Sequence, residues 1–183
     1  MIDSGDARVA AVLVIDLQTA MFDSNYLPPI HAADGLVERV RRVLAWARES
    51  GRKIAFIRHD GPAGDELVPG APGWPVWPAL GQAEDEPTFS KTVGDAFSEP
   101  ALGAWLASFG ATEVILFGAQ TECCVAATVD GALSCGLAVT VVGDAHSTWD
   151  SNGETAAEII ARQNAAFEAS GARVDVTGAI VAV

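Results

Sequence analysis

Cysteine and positive charge are scarce in this chain, and long apolar runs are missing altogether. Its three cysteines, Cys123, Cys124 and Cys135, are an odd number with two adjacent. They make no disulfide framework, and no Cys-x-x-Cys or paired Cys/His spacing offers a structural zinc site. A reactive thiol is what remains to be read from them. Lysine and arginine number 11 against 24 aspartates and glutamates, for a net charge of −13. That balance excludes a nucleic acid or an anionic membrane surface as partner, because both repel an acidic protein. No apolar segment approaches the roughly 18 residues that a membrane-spanning helix needs, and no basic leader with a cleavage site opens the sequence. The reading is a cytoplasmic protein.

What is present is a compact apolar pattern: half of the 183 residues are hydrophobic, enough to bury a core in one domain spanning residues 1–183. The run at residues 114–117 is too short for a helix and too apolar to alternate, so it reads as a strand buried on both faces. Gly118 turns the chain. Val125, Val129, Ala132 and Leu133 then recur at helical spacing and stop at Gly136. Residues 9–15, 53–57, 88–91, 138–142 and 173–176 read as further strands. Helices are expected at residues 34–50, from Ser98 and Pro100 to about 108, and from a Ser151/Glu154 capping box to about 169. The stretch 21–29 reads as irregular, and the tail 178–183 is too short to assign. Alternation of this kind predicts an α/β fold: a three-layer, open, mostly parallel β-sheet of Rossmann type with helices on both faces.

In such a sheet, binding residues gather at the carboxyl ends of the strands. Asp16, His59 with Asp60, the segment 118–124, and Asp144 with His146 all follow strands at that edge. Cys124 lies near a helix start, where the helix dipole favours a thiolate. Its thiol is therefore expected below the ordinary range, with Lys91 helping, while Cys123 stays near about 8.5. A thiol beside a carboxylate is a nucleophile with a base. Alone, Asp16 is an ordinary turn former, and Lys91 a solvated charge on an exposed strand edge that adds little to folding. The long Gly-, Pro- and Trp-rich stretch from His59 to Pro87 reads as a functional loop whose aromatics either line a pocket or cap the core.

Val14-Ile15-Asp16-Leu17-Gln18, Lys91 followed by Asp95-Ala96-Phe97, and Gly118-Ala119-Gln120-Thr121-Glu122-Cys123-Cys124-Val125 together resemble the isochorismatase-like cysteine hydrolase family. The three motifs come in family order and span most of the chain. The resemblance implies a catalytic triad with Asp16 as general base, Lys91 as its charged partner and Cys124 as nucleophile. It also implies a cis peptide between Ala119 and Gln120, and an oxyanion hole from the backbone N–H groups of Gln120 and Cys124. Candidate substrate contacts are Gln18, Phe22, His59, Trp74, His146 and Trp149. A small-molecule substrate, no cofactor, no metal and a homodimer or homotetramer complete the expectation.

The chemistry so implied is hydrolysis of a C–N bond in a small amide, carbamoyl, ureido or lactam group through a thioester. Two enzymatic alternatives belong to the same family. Isochorismatase-type hydrolysis of a vinyl ether needs an acid and no sulfur nucleophile, so Cys124 speaks against it. Metal-dependent nicotinamidases carry an Asp-x-His and a distant His, of which Phe56-Ile57-Arg58-His59-Asp60 supplies only part. A catalytically silent binding protein on the same fold is the alternative from outside enzymology.

Overall fold

In the computed structural model the described residues are 9–182; residues 1–8 and 183, the ends of the expected domain span, lie outside them. Six strands form: β1 (Ala10–Ile15), β2 (Lys53–His59), β3 (Thr88–Lys91), β4 (Glu113–Ala119), β5 (Ala138–Ser147) and β6 (Arg173–Asp175). They lie in the order β3-β2-β1-β4-β5-β6, and every pairing is parallel. Residues 11–15 of β1 are wholly buried. That is why the central strands read as unbroken apolar runs: helices cover both faces, so neither face is left to be polar.

The helices are α1 (Ala33–Glu49), α2 (Pro100–Ser108), α3 (Ala126–Ser134), α4 (Ala156–Ser170) and α5 (Thr177–Ile180). Val12, Val14, Phe56 and Phe117 pack on one face against Leu36, Val40 and Leu44 of α1 and Ile180 of α5. Leu13, Ile15, Ile57 and Leu116 pack on the other against Leu102 and Leu106 of α2, Val129 of α3 and Phe167 of α4. Burying each Leu or Val is worth about 1.5–3 kcal/mol, whereas helix propensities differ by only a few tenths among ordinary residues. The apolar stripe therefore decides where α1 forms and which way it faces. Among the described residues no helix is long and apolar enough to cross a membrane.

Local chemistry departs from the sequence expectation at several places. Ser151 and Glu154 do not cap α4; their backbones pair with each other across Asn152 (φ 53) and Gly153 (φ 83). Asn-Gly is the dipeptide best suited to two successive left-handed residues, so the turn takes that segment. The capping box is one turn later, between Thr155 and Glu158. Likewise Ser98 closes a 3-10 turn capped by Asp95, whose side chain accepts from the Phe97 N–H, and α2 begins at Pro100 behind Glu99. A 3-10 turn at Thr19–Met21 leads into the stretch expected to be irregular, and α5 starts at Thr177 and runs into the unassigned tail.

The chain runs outward in opposite directions from the β1/β4 pair, which makes the carboxyl ends of those two strands the switch point where open α/β sheets bind ligands. Asp16 follows β1 and the motif ending in Cys124 follows β4.

Candidate active site

Asp16 sits where β1 stops, in a left-handed conformation (φ 48), with its N–H held by the Ile57 carbonyl at 3.0 Å. One residue of left-handed backbone swings its carboxylate off the strand axis and into the crevice. Lys91 is the last residue of β3, and its Nζ donates to Asp16 Oδ2 at 2.6 Å with both side chains about 1% exposed. Lys91 is thus no solvated edge charge, contrary to expectation: its side chain leaves the edge strand for the interior and ends on Asp16. A buried ion pair repays its desolvation only while both partners are present. Asp16 Oδ1 is buried without a partner.

The β4 side is built by close approach. Gly118 has φ 139, and a Cβ there would lie 2.0 Å from the Ile15 carbonyl oxygen, so only glycine lets β4 run hard against the end of β1. The next peptide bond, Ala119–Gln120, is cis. The chain then enters a π turn, Thr121–Val125, ahead of α3; the Gln120 carbonyl accepts from the N–H groups of Cys123 and Val125, each at 3.1 Å. Cys124 lies in this turn, half-buried, while Cys123 is exposed. A carboxylate oxygen of Asp16, a ring nitrogen of His59 and Sγ of Cys124 lie within 4.8 Å of one another.

The electrostatics reverse one expectation. Burial pushes the Cys124 thiol up to about 12; the neighbouring Asp16 carboxylate adds to the rise, and the Lys91 ammonium only partly offsets it. Desolvation beside a negative charge outweighs the helix terminus, which here is a π turn. Cys123 also moves up, through partial burial and then Glu122. Burial and the neighbouring Asp16 thus favour the thiol form of Cys124.

The remaining candidates divide into those facing this cluster and those spent elsewhere. His59, the last residue of β2, faces it, with Nδ1 unpartnered. Gln18 is buried and fully used: its Nε2 donates to the carbonyls of His59 (3.0 Å) and Trp74 (2.8 Å), and its Oε1 accepts from the His59 N–H (2.8 Å). It therefore positions His59 and pins the long loop. Trp74 donates to Asp60 Oδ1 at 2.8 Å and lies under the Arg58 guanidinium. Phe22 stacks on Trp77 with centroids 5.4 Å apart. Trp149 donates to the Pro28 carbonyl and packs on the α1 face.

His146 and Asp144 are structural. Between its pairings Leu116↔Val141 and Gly118↔His146, β5 takes five residue steps against two of β4, and the excess turns Asp144 outward to accept from Thr177 N and Oγ1, both at 2.7 Å. His146 lies buried between Thr121 Oγ1 (2.9 Å) and Asn164 Oδ1 (2.8 Å). Asn164 Nδ2 donates to the Gly143 carbonyl, which leaves its oxygen to accept. His146 Nε2 must then carry the proton, and Nδ1 accepts from the Thr121 hydroxyl. Burial lowers the pKa of His146, which keeps this neutral tautomer. The trio braces the turn that carries Cys124. Thr121 and Asn164 were missed in the sequence; Asn164 left a signal, as a polar residue in the stripe formed with Ile160 and Phe167.

Comparison with known proteins agrees with this geometry. Two streptothricin hydrolases of Streptomyces noursei are 37% and 34% identical over 142 residues, covering 78% of this chain but 51% and 56% of theirs, so the chain spans about half the length of these curated relatives. An isochorismatase from Pseudomonas putida KT2440 is 28% identical with a TM-score of 0.85, over 93% of this chain and 89% of that one. A cysteine hydrolase from Pseudomonas syringae pv. phaseolicola 1448A shares the fold at a TM-score of 0.88 and 18% identity, over 95% and 91%. The family description "Isochorismatase domain" matches residues 10–170, a span that contains Asp16, Lys91 and the whole Gly118-to-Val125 motif, and the chain belongs to that family.

Proposed function

We propose that this protein is a cysteine hydrolase that cleaves the C–N bond of a small amide, carbamoyl, ureido or lactam substrate through a thioester. The observation that carries the reading is the buried Lys91–Asp16 pair beside the Cys124 thiol. A buried pair retained next to a thiol is costly scaffolding but suits a base that must stay charged until it is used. The relatives named for hydrolysing streptothricin support hydrolysis of a nitrogen-containing small molecule.

Asp16 takes the proton from Cys124 Sγ as sulfur attacks the carbonyl carbon. Because the thiol holds its proton up to about 12, thiolate does not accumulate beforehand; proton removal and C–S bond formation go together. The oxygen that gains charge is received by the N–H groups of Gln120 and Cys124, donors of the kind whose loss costs about 10²–10³ in turnover. The tetrahedral intermediate collapses, the C–N bond breaks, and the amine leaves with the proton from Asp16. Water, deprotonated by the same carboxylate, then attacks the thioester, and Cys124 recovers its proton. Throughout, Lys91 holds the Asp16 carboxyl group in register. A homodimer or homotetramer, implied by the family, belongs to the same proposal and is read by sedimentation.

A panel of nicotinamide, carbamoyl amino acids, lactams and streptothricin, scored for ammonia or amine release, tests the reading. The expected result is turnover of at least one member, with an acyl adduct on the Cys124 peptide by mass spectrometry. Amine release that survives Cys124→Ala would overturn it.

A further inference from the structure

A carboxylate, an imidazole and a thiol meet in the crevice with two of their atoms unspent. Asp16 Oδ1 and His59 Nδ1 are both buried without a hydrogen-bond partner, although buried polar atoms are nearly always paired. Lys91 occupies only Oδ2 of Asp16, and Gln18 grips the His59 backbone from both sides, so neither group is free to swing away and pair elsewhere. Cys124 Sγ completes a triangle in which one donor atom from each residue lies within 4.8 Å of the other two.

We propose that Asp16, His59 and Cys124 form a binding site for a borderline-soft divalent cation of the Zn²⁺ class, which binds in competition with substrate and switches the enzyme off. Oxygen, nitrogen and sulfur donors together select Zn²⁺ over Mg²⁺ or Ca²⁺, which want oxygen alone. Zinc bonds of about 2.0–2.3 Å in a tetrahedron set donor atoms roughly 3.5 Å apart. A closure of about 1 Å by side-chain rotation brings the three to that spacing, with a fourth position left for water. On binding, the Cys124 S–H bond breaks, an S–Zn bond forms and the proton goes to solvent; no redox change occurs. The Lys91–Asp16 bond is kept through Oδ2. The ion brings two positive charges and expels one, so Lys91 opposes it and keeps the site exchangeable instead of permanently filled. The bound ion occupies the sulfur lone pair and the carboxylate that the hydrolysis needs. It is therefore an inhibitor, consistent with the sequence expectation that turnover itself needs no metal.

The inhibitory half rests on Cys124 being the nucleophile; the binding half does not, and the test keeps them apart. The intact protein carrying Cys123→Ser, which removes the neighbouring exposed thiol, is titrated with Co²⁺ as a spectroscopic stand-in. One ion per chain should bind with a thiolate-to-cobalt charge-transfer band and tetrahedral d–d absorption, and Zn²⁺ should displace it. Adding His59→Gln should weaken binding by at least about 100-fold, beyond the loss usual for an outer-sphere partner, and adding Cys124→Ser should remove the band. On any amide that is turned over, Zn²⁺ should inhibit competitively, and a chelator should restore full rate. No band in the Cys123→Ser protein, unchanged affinity in the His59→Gln protein, or full turnover with zinc bound would overturn the proposal. A normal band in a protein that hydrolyses none of the amides would sink the proposed reaction and leave the cation site standing.

Discussion

Two buried polar clusters lie side by side at the carboxyl end of the sheet, and they differ in one respect. Around His146 every side-chain polar group is used: Thr121, Asn164 and the Gly143 carbonyl close a ring of hydrogen bonds around a neutral imidazole. Around Asp16 the books do not close, since Asp16 Oδ1 and His59 Nδ1 are both left over. Satisfied networks rigidify, whereas unsatisfied ones hold capacity for a ligand or a reaction. His146 and His59 looked alike in the sequence, each at the end of a strand. Their second partners separate brace from working group.

The comparison is broken most severely at Cys124, the proposed nucleophile. Cys124→Ala should reduce turnover by at least about 10⁴-fold while moving the denaturation midpoint little, because one half-buried thiol is lost and no charge is stranded. Lys91→Met comes next and affects both properties. Stranding the Asp16 charge should cost about 3–5 kcal/mol of stability and also most of the activity. The sharper form is a cycle with Asp16→Asn: the double variant should regain most of the lost stability in urea melts and none of the turnover. Recovery of neither would mean that the pair is not the stability unit described here.

On the His146 side the balance should invert. His146→Phe strands the Thr121 hydroxyl and the Asn164 amide and should cost about 1–3 kcal/mol, with less than about a tenfold loss of rate. The pH dependence has a definite sign. Burial lowers the His146 pKa from 6.5, so the unfolded chain takes up this proton first. The stability that neutral His146 contributes is present above about pH 6.5 and is lost progressively as pH falls toward the folded value. Melting curves of the wild type and His146→Phe between pH 7 and 5 should therefore converge as the medium is acidified. The smallest effect concerns labelling. At neutral pH a stoichiometric alkylating agent should mark the exposed Cys123 and Cys135 before Cys124, and activity should outlast the first equivalent of label.

Much of the frame was legible because burial on both faces leaves a plain imprint: residues 10–15 and 114–117 are unbroken apolar runs, and α1 carries its stripe at helical spacing. The short β3 was also readable to the residue. What escaped depends on neighbours distant in the chain. The burial of Lys91 depends on Asp16, 75 residues earlier, receiving its ammonium group inside the protein, and nothing local to Thr88-Phe89-Ser90 announces it. The direction of the Cys124 shift depends on how deeply the thiol sits and on Asp16, more than a hundred residues earlier. Asp144 looked like a site residue because the extra residues of β5 that aim it at Thr177 leave no mark on hydrophobic periodicity. At Ser151 the signal was present, but the Asn-Gly turn was outweighed by a capping pattern that recurs one turn later.

Gly118 carries a consequence for how this architecture can diversify. Its would-be Cβ meets main chain, the Ile15 carbonyl, and main chain offers no rotamer with which to yield. No other residue is a neutral replacement at this position, and a saturation library should return only glycine there from folded, active clones. Residues 61–72 stand at the opposite pole. The loop is stitched down at Gly73, Trp74, Pro75 and Trp77 by bonds to residues 17–20, so the exposed Pro62, Ala63 and Glu66 before those stitches can vary without shifting Asp16 or Cys124. Descendants of such a chain would vary on this exposed loop while the crossing of Gly118 over Ile15 stands still.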